Sequence, residues 1–131
     1  MGKWILVLGL CASLGAGGAV AQTSLDFDVW MQKIDRHSQS ILLHLKRQDA
    51  SAAVADAREL ERLYRLMERF YEARGDVDDT VLASYDGRER AAAVVKQVEQ
   101  GDYTSAFESA AGIARDCRNC HDRFKPLKPL I

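Results

Sequence analysis

Near its C-terminus the chain reads Cys117-Arg118-Asn119-Cys120-His121, which puts two thiols and an imidazole at the attachment spacing of a c-type haem. On a helix the two cysteines lie three residues apart and His121 lies four after Cys117, so all three side chains reach one side of one porphyrin. The chemistry this spacing predicts is covalent. Cys117 and Cys120 each add to a haem vinyl group and His121 binds the iron. One haem c per chain, with its iron, is the expected cofactor.

Other uses of the same residues fit less well. A structural zinc site needs four ligands, and no second Cys or His pair follows at finger-like spacing; His37 and His44 are distant in sequence. A thiol redox motif belongs at a helix start within a βαβ pattern, and no segment here alternates like a strand.

The opposite end of the chain predicts its compartment. Lys3 precedes the apolar run Trp4 to Ala12, which passes through small residues to Ala19-Val20-Ala21 before Gln22. Charge, short apolar core and A-x-A site in that order describe a secretory signal peptide. Residues 1–21 are therefore expected to be cleaved, leaving a haem-c domain over 22–131. The apolar run is well short of the roughly 20 residues that span a bilayer, so no membrane span is expected after cleavage. Cys11 is a poor lipidation site because Leu10 stands where a small residue is needed. Export to the periplasm agrees with haem c, which bacteria attach outside the cytoplasm.

Cleavage also removes Cys11, the only cysteine outside the motif, so no disulfide framework is left. The whole chain carries 18 basic and 19 acidic residues. A balance so close to neutral offers no nucleic-acid surface. The core of such a domain is modest, and a buried macrocycle would supply much of its apolar contact.

The elements that must position the motif all read as helices. Phe27, Met31, Ile34, Ile41 and Leu45 recur at helical steps between about Leu25 and Lys46, with Ser24 available as a cap and only a serine at position 38 of the stripe. After the polar break Arg47-Gln48-Asp49, a second stripe of Val54, Leu60, Leu63, Tyr64, Met67, Phe70 and Tyr71 runs to about Arg74, where Gly75 is a stop. Residues 75–86 read as an acidic, irregular linker, in which Val81, Leu82 and Tyr85 either pack as a short turn or extend the next helix. A third helix covers about Arg88 to Gln100 through Ala91, Ala92, Val94, Val95 and Val98. Gly101 and Asp102 then supply a stop and a new cap. The fourth helix carries Tyr103, Phe107, Ala110, Ala114 and Cys117 inward as far as His121 and Phe124, until Pro126 and Pro129 end it. Four helices on short loops predict an all-α fold: an antiparallel four-helix bundle with one covalently bound haem. Along the second helix, Glu61 and Arg65 are spaced to pair on a solvated, charge-rich face.

With the signature on the last helix, the chain resembles the cytochrome c-prime family and its low-spin four-helix relatives. The likeness rests on Gly101-Asp102-Tyr103, the small-residue helix Ala106 to Ala114, and the run Cys117 to Lys125. The family usually has an arginine four residues beyond the haem histidine. Here that residue is Lys125, which keeps the charge but loses the planar fork. Arg36, Arg123 and Lys125 are the candidate propionate contacts. The resemblance further implies dimerisation through the first two helices, to which Tyr64 and Tyr71 are candidate contributors.

Members of the family differ in the sixth position of the iron, which is either blocked by an apolar residue or filled by a methionine of the first helix. In an antiparallel bundle the start of helix one lies beside the end of helix four, and His121 sits roughly 6 Å from that end. Met31 is roughly 9 Å into helix one, whereas His37 and His44 are near 18 and 28 Å by the same rise. Met31 is the distal candidate. Met67 has a suitable height but lies in a dense Leu/Tyr/Phe stripe and reads as core, His37 and His44 read as boundary residues, and Trp30 reads as helix-interface packing.

Two strong axial ligands leave iron no open site and favour one-electron transfer. The expected function is that of a periplasmic monohaem c-type cytochrome, an electron carrier for redox partner proteins, with no catalytic residues. The alternative is a five-coordinate cytochrome c-prime-like binder of NO or CO, in which Met31 only shields the distal face. A third reading is a haem-free interaction bundle whose two motif cysteines form a disulfide.

Overall fold

The structure, a computed structural model, describes residues 23–75 and 78–124. The expected signal peptide, Lys125, Pro126 and Pro129 lie outside the described residues. Four helices account for nearly all of what is described: α1 (Ser24–Lys46), α2 (Ala50–Arg74), α3 (Asp78–Glu99) and α4 (Tyr103–Phe124). Each packs on its two chain neighbours, α4 closes back onto α1, and the backbones of the diagonal pairs stay apart, bridged by side chains such as Tyr64 of α2 and Cys117 of α4. That is the square cross-section of an up-down-up-down four-helix bundle. Among the described residues no helix is long and apolar enough to cross a membrane.

Local chemistry explains the helix ends. Thr23, one residue before the expected cap, starts α1 with a capping box: its hydroxyl accepts from the Asp26 N–H while the Asp26 carboxylate accepts from the Thr23 N–H at 2.9 Å. Asp49 caps α2 by accepting from the Ala52 N–H at 3.1 Å. Gly75 and Gly101 end α2 and α3 at φ +64° and +74°, a region that costs a side-chain-bearing residue roughly 1 kcal/mol or more. Asp102 then caps α4 through the Ser105 N–H. On the outer face of α2, Glu61 pairs with Arg65 at 2.9 Å as its spacing predicts. Glu68, two turns after Glu61, reaches across to Arg88 of α3 at 3.0 Å.

The core runs the length of the bundle through Ile34, Ile41 and Leu45 of α1, Leu60, Leu63 and Met67 of α2, Val94 and Val98 of α3, and Ala106, Ala110 and Ile113 of α4. Phe27, Trp30, Phe70 and Tyr71 form an aromatic cluster where α1 begins and α2 ends, with the Phe27 and Phe70 rings 4.9 Å apart. Trp30 therefore packs at a helix interface as expected. Tyr64 is buried and Tyr71 packs against the core. Tyr64 and the half-buried Tyr71 both border the small interior cavity beside the motif.

The third helix is longer than its stripe of alanines and valines: α3 starts at Asp78 and takes in Val81, Leu82 and Tyr85, the extension left open for that segment, so most of residues 75–86 are helical and not an irregular linker. Its first three turns turn small or polar groups inward: Thr80, Ser84 and Gly87 are buried, and the Ser84 hydroxyl donates back to the Thr80 carbonyl at 2.9 Å. Leu82 and Tyr85, the two largest apolar residues of the segment, point out to solvent, and Val81 is half-buried. The inversion makes room for α2. A Cβ on Gly87 would lie 2.4 Å from the Tyr64 ring, so the ring needs a glycine opposite it. Gly87→Ala is expected to cost about 1–3 kcal/mol by overpacking, measured as a lower urea midpoint with an unchanged m-value; a midpoint equal to wild type would mean that α3 does not press on Tyr64 in this way.

Candidate functional site

All three chemically active residues of the motif are helical, on the last two turns of α4. A helix turns about 100° per residue, so Cys117 and His121 lie on nearly the same side while Cys120 is displaced toward α3. The surroundings follow that division. Cys117 packs against the core, and the Tyr64 hydroxyl lies 3.7 Å from its sulfur. Cys120 borders a polar cleft between α3 and α4, together with Asp79, Arg90 and Arg123. Both are free thiols. Burial is the main cause that pushes each of them above the ordinary thiol range, so both stay protonated at neutral pH. Burial likewise pushes the Tyr64 phenol well up, which leaves its O–H free to donate toward sulfur.

His121 opens onto a different space, a cleft of about 500 Å³ between α1 and α4. Met31, Ile34, Asp35, Ser38 and Gln39 form the α1 wall, and Ala114, Cys117, Arg118, His121 and Asp122 form the α4 wall. A volume of that order suits a cofactor. Met31 also borders a small interior cavity of about 30 Å³ that touches Met67, Tyr64, Ser84 and both motif cysteines. Both methionines weighed from the sequence thus stand near the motif, but only Met31 shares the cleft with His121.

The residues fit a covalently held haem on several counts. Two thiols and an imidazole come from α4, and a thioether faces the cleft from α1. Ser38 adds a buried hydroxyl at the wall of that cleft, turned to the Cys117 thiol, whose pKa it acts to lower against the larger effect of burial. The zinc reading gains nothing, since no group of three or more His, Cys, Asp or Glu side chains among the described residues is arranged to hold a metal ion.

Of the three cations expected to meet propionates, the two that are described do not line this cleft. Arg36 is exposed on α1 and is not among the residues lining the cleft. Arg123, two residues past His121 and so roughly opposite it on the helix, faces α3 and pairs with Asp79 at 3.1 Å. Lys125 lies outside the described residues. The guanidinium that does line the cleft is Arg118, inside the motif itself. The position of Arg118, three residues before His121 and on its side of the helix, is the sequence signal that would have found it.

His37 and His44 are half-buried at the α1–α2 boundary and take no part in the cleft. Their Nδ1 atoms lie 2.8 and 2.9 Å from the two carboxylate oxygens of Asp56, which also accepts from Ser40 Oγ at 2.7 Å. A carboxylate only accepts, so each imidazole presents its proton at Nδ1.

Comparison with known proteins adds no relative: no family model, curated protein or solved structure matches the chain.

Proposed function

We propose that this chain is a periplasmic monohaem c-type cytochrome of the cytochrome c-prime kind, an electron carrier whose iron is held by His121 and Met31. The observation that carries the reading is the cleft that takes Met31 from α1 and Cys117 and His121 from α4. Cys117 and Cys120 hold the group covalently. Each S–H adds across a vinyl double bond, sulfur to one carbon and the proton to the other, so the attachment consumes no oxidant. Bound in this way, haem supplies a one-electron iron couple. His121 offers an imidazole nitrogen and Met31 a thioether sulfur, a pair that favours a higher potential than two histidines. The apolar side chains of Ile34 and Ala114 and the packed Cys117 end of the core limit water at the site.

The test is to export the protein from a host that attaches haem c and to measure its mass and its optical spectra, ferric and ferrous, with and without carbon monoxide. The expected result is a mass gain of one haem, abolished in Cys117→Ser/Cys120→Ser, with low-spin bands that resist carbon monoxide. A protein exported without that mass gain would overturn the haem reading. A high-spin ferrous spectrum that shifts with carbon monoxide would replace the electron carrier by the gas-binding alternative.

A further inference from the structure

We propose that Arg118, between the two motif cysteines, is the residue that holds a haem propionate in the α1–α4 cleft. The inference rests on the haem reading above. Among the described residues Arg118 is the only guanidinium or ammonium group on that cleft, and it shares the cleft with the carboxylates of Asp35 and Asp122. Asp35 accepts both of its contacts from the Gln39 amide, each at 3.0 Å. Two fixed carboxylates repel a ligand that brings carboxylates of its own unless a cation stands between them. Arg118 is available for that role because it forms no ion pair among the described residues, although Asp122 follows it at a helical spacing that would allow one.

Position on α4 separates Arg118 from its rivals. Arg118 and His121 lie on one side of the helix, and the thioether of Cys117 would tether the macrocycle to that same side. Arg123 faces α3, where Asp79 occupies it, and Arg36 stands on an exposed face of α1. A guanidinium meets a carboxylate through a planar fork that an ammonium group cannot copy. Arg118 acts on the iron only through the propionate and its charge, and so is a positioning residue.

The experiment uses the exported, haem-loaded protein, with loading verified by mass in every variant. It reads the equilibrium reduction potential by spectroelectrochemistry and the propionate bending band by resonance Raman spectroscopy. Arg118→Gln is expected to shift the potential to more negative values, because a lost positive charge disfavours the reduced iron, and to move the propionate band. Arg118→Lys keeps the charge and is expected to restore most of the potential but not the band. Arg36→Gln and Arg123→Gln are expected to leave the band at its wild-type position. A loaded Arg118→Gln protein with an unchanged band overturns this inference and leaves the haem reading standing, and so does a band that moves in Arg36→Gln or Arg123→Gln instead. A wild-type protein without attached haem overturns both.

Discussion

Met31→Leu is expected to convert a low-spin, carbon-monoxide-resistant haem protein into a high-spin one that binds carbon monoxide in the ferrous state. Leucine nearly conserves the volume of methionine and should cost under about 1.5 kcal/mol of stability, so the spectral change isolates the sulfur. Met31→Ala should give the same spectra with a larger loss of stability, toward the lower end of the ~2–5 kcal/mol range for Met→Ala because Met31 is only half-buried. Met67→Leu is the informative control. Met67 borders the interior cavity beside both cysteines but not the cleft that contains His121, and its replacement should leave the bands unchanged. If Met67→Leu produced the high-spin spectrum and Met31→Leu did not, the distal ligand would come from α2. If wild type and Met31→Leu were both high-spin, Met31 would be a shield in a five-coordinate gas-binding protein.

The reach of the sequence differs along the chain for physical reasons. Where large apolar residues supply the buried face, as with Ile34, Ile41 and Leu45 or Leu60, Leu63 and Met67, helical periodicity is visible and the elements follow from it. The fixed rise of a helix is also enough to bring Met31 to the level of His121, and the two line one cleft. The start of α3 is harder to read because its buried face is Thr80, Ser84 and Gly87, with Gly87 against Tyr64, while Leu82 and Tyr85 look outward. Part of the information therefore resides in α2, whose Tyr64 ring needs a glycine opposite it. Arg118 was hidden differently. Attention to the cations beyond the haem histidine favours Arg123 and Lys125, but two residues along a helix is roughly half a turn, which sends Arg123 to the α3 side. A polar stripe was legible in principle too: His37, Ser40 and His44 recur at three-, four- and seven-residue steps on α1 and demand a partner on a neighbouring helix, yet sequence does not say that the partner is Asp56.

That partnership carries the second large effect. Asp56 is 8% exposed, and its carboxylate takes hydrogen bonds from His37, Ser40 and His44 over two turns of α1. It fastens α2 to α1 away from the cleft. Asp56→Ala removes the acceptor of both imidazoles and leaves the Ser40 hydroxyl only its longer contact to the His37 carbonyl at 3.4 Å. Hydrogen bonds to a charged group contribute about 1.5–3 kcal/mol each when buried. Both imidazoles are about a quarter exposed, so water can recover part of what is lost, and the net cost should be about 3 kcal/mol. In a domain of this size that lowers the melting temperature by roughly 12–20 °C. Asp56→Asn preserves the shape but exchanges one acceptor for a donor, which must then face an Nδ1–H or the Ser40 hydroxyl; its loss should be intermediate. Because the cluster anchors the bundle without touching the cleft, Asp56→Asn and the paired His37→Ala and His44→Ala variants should retain the wild-type haem spectrum while melting lower. A melting temperature within a degree or two of wild type for Asp56→Ala would show that water serves the three donors as well as the carboxylate does. A change of spin state in His37→Ala would place that histidine at the iron and contradict the separation of the two sites on α1.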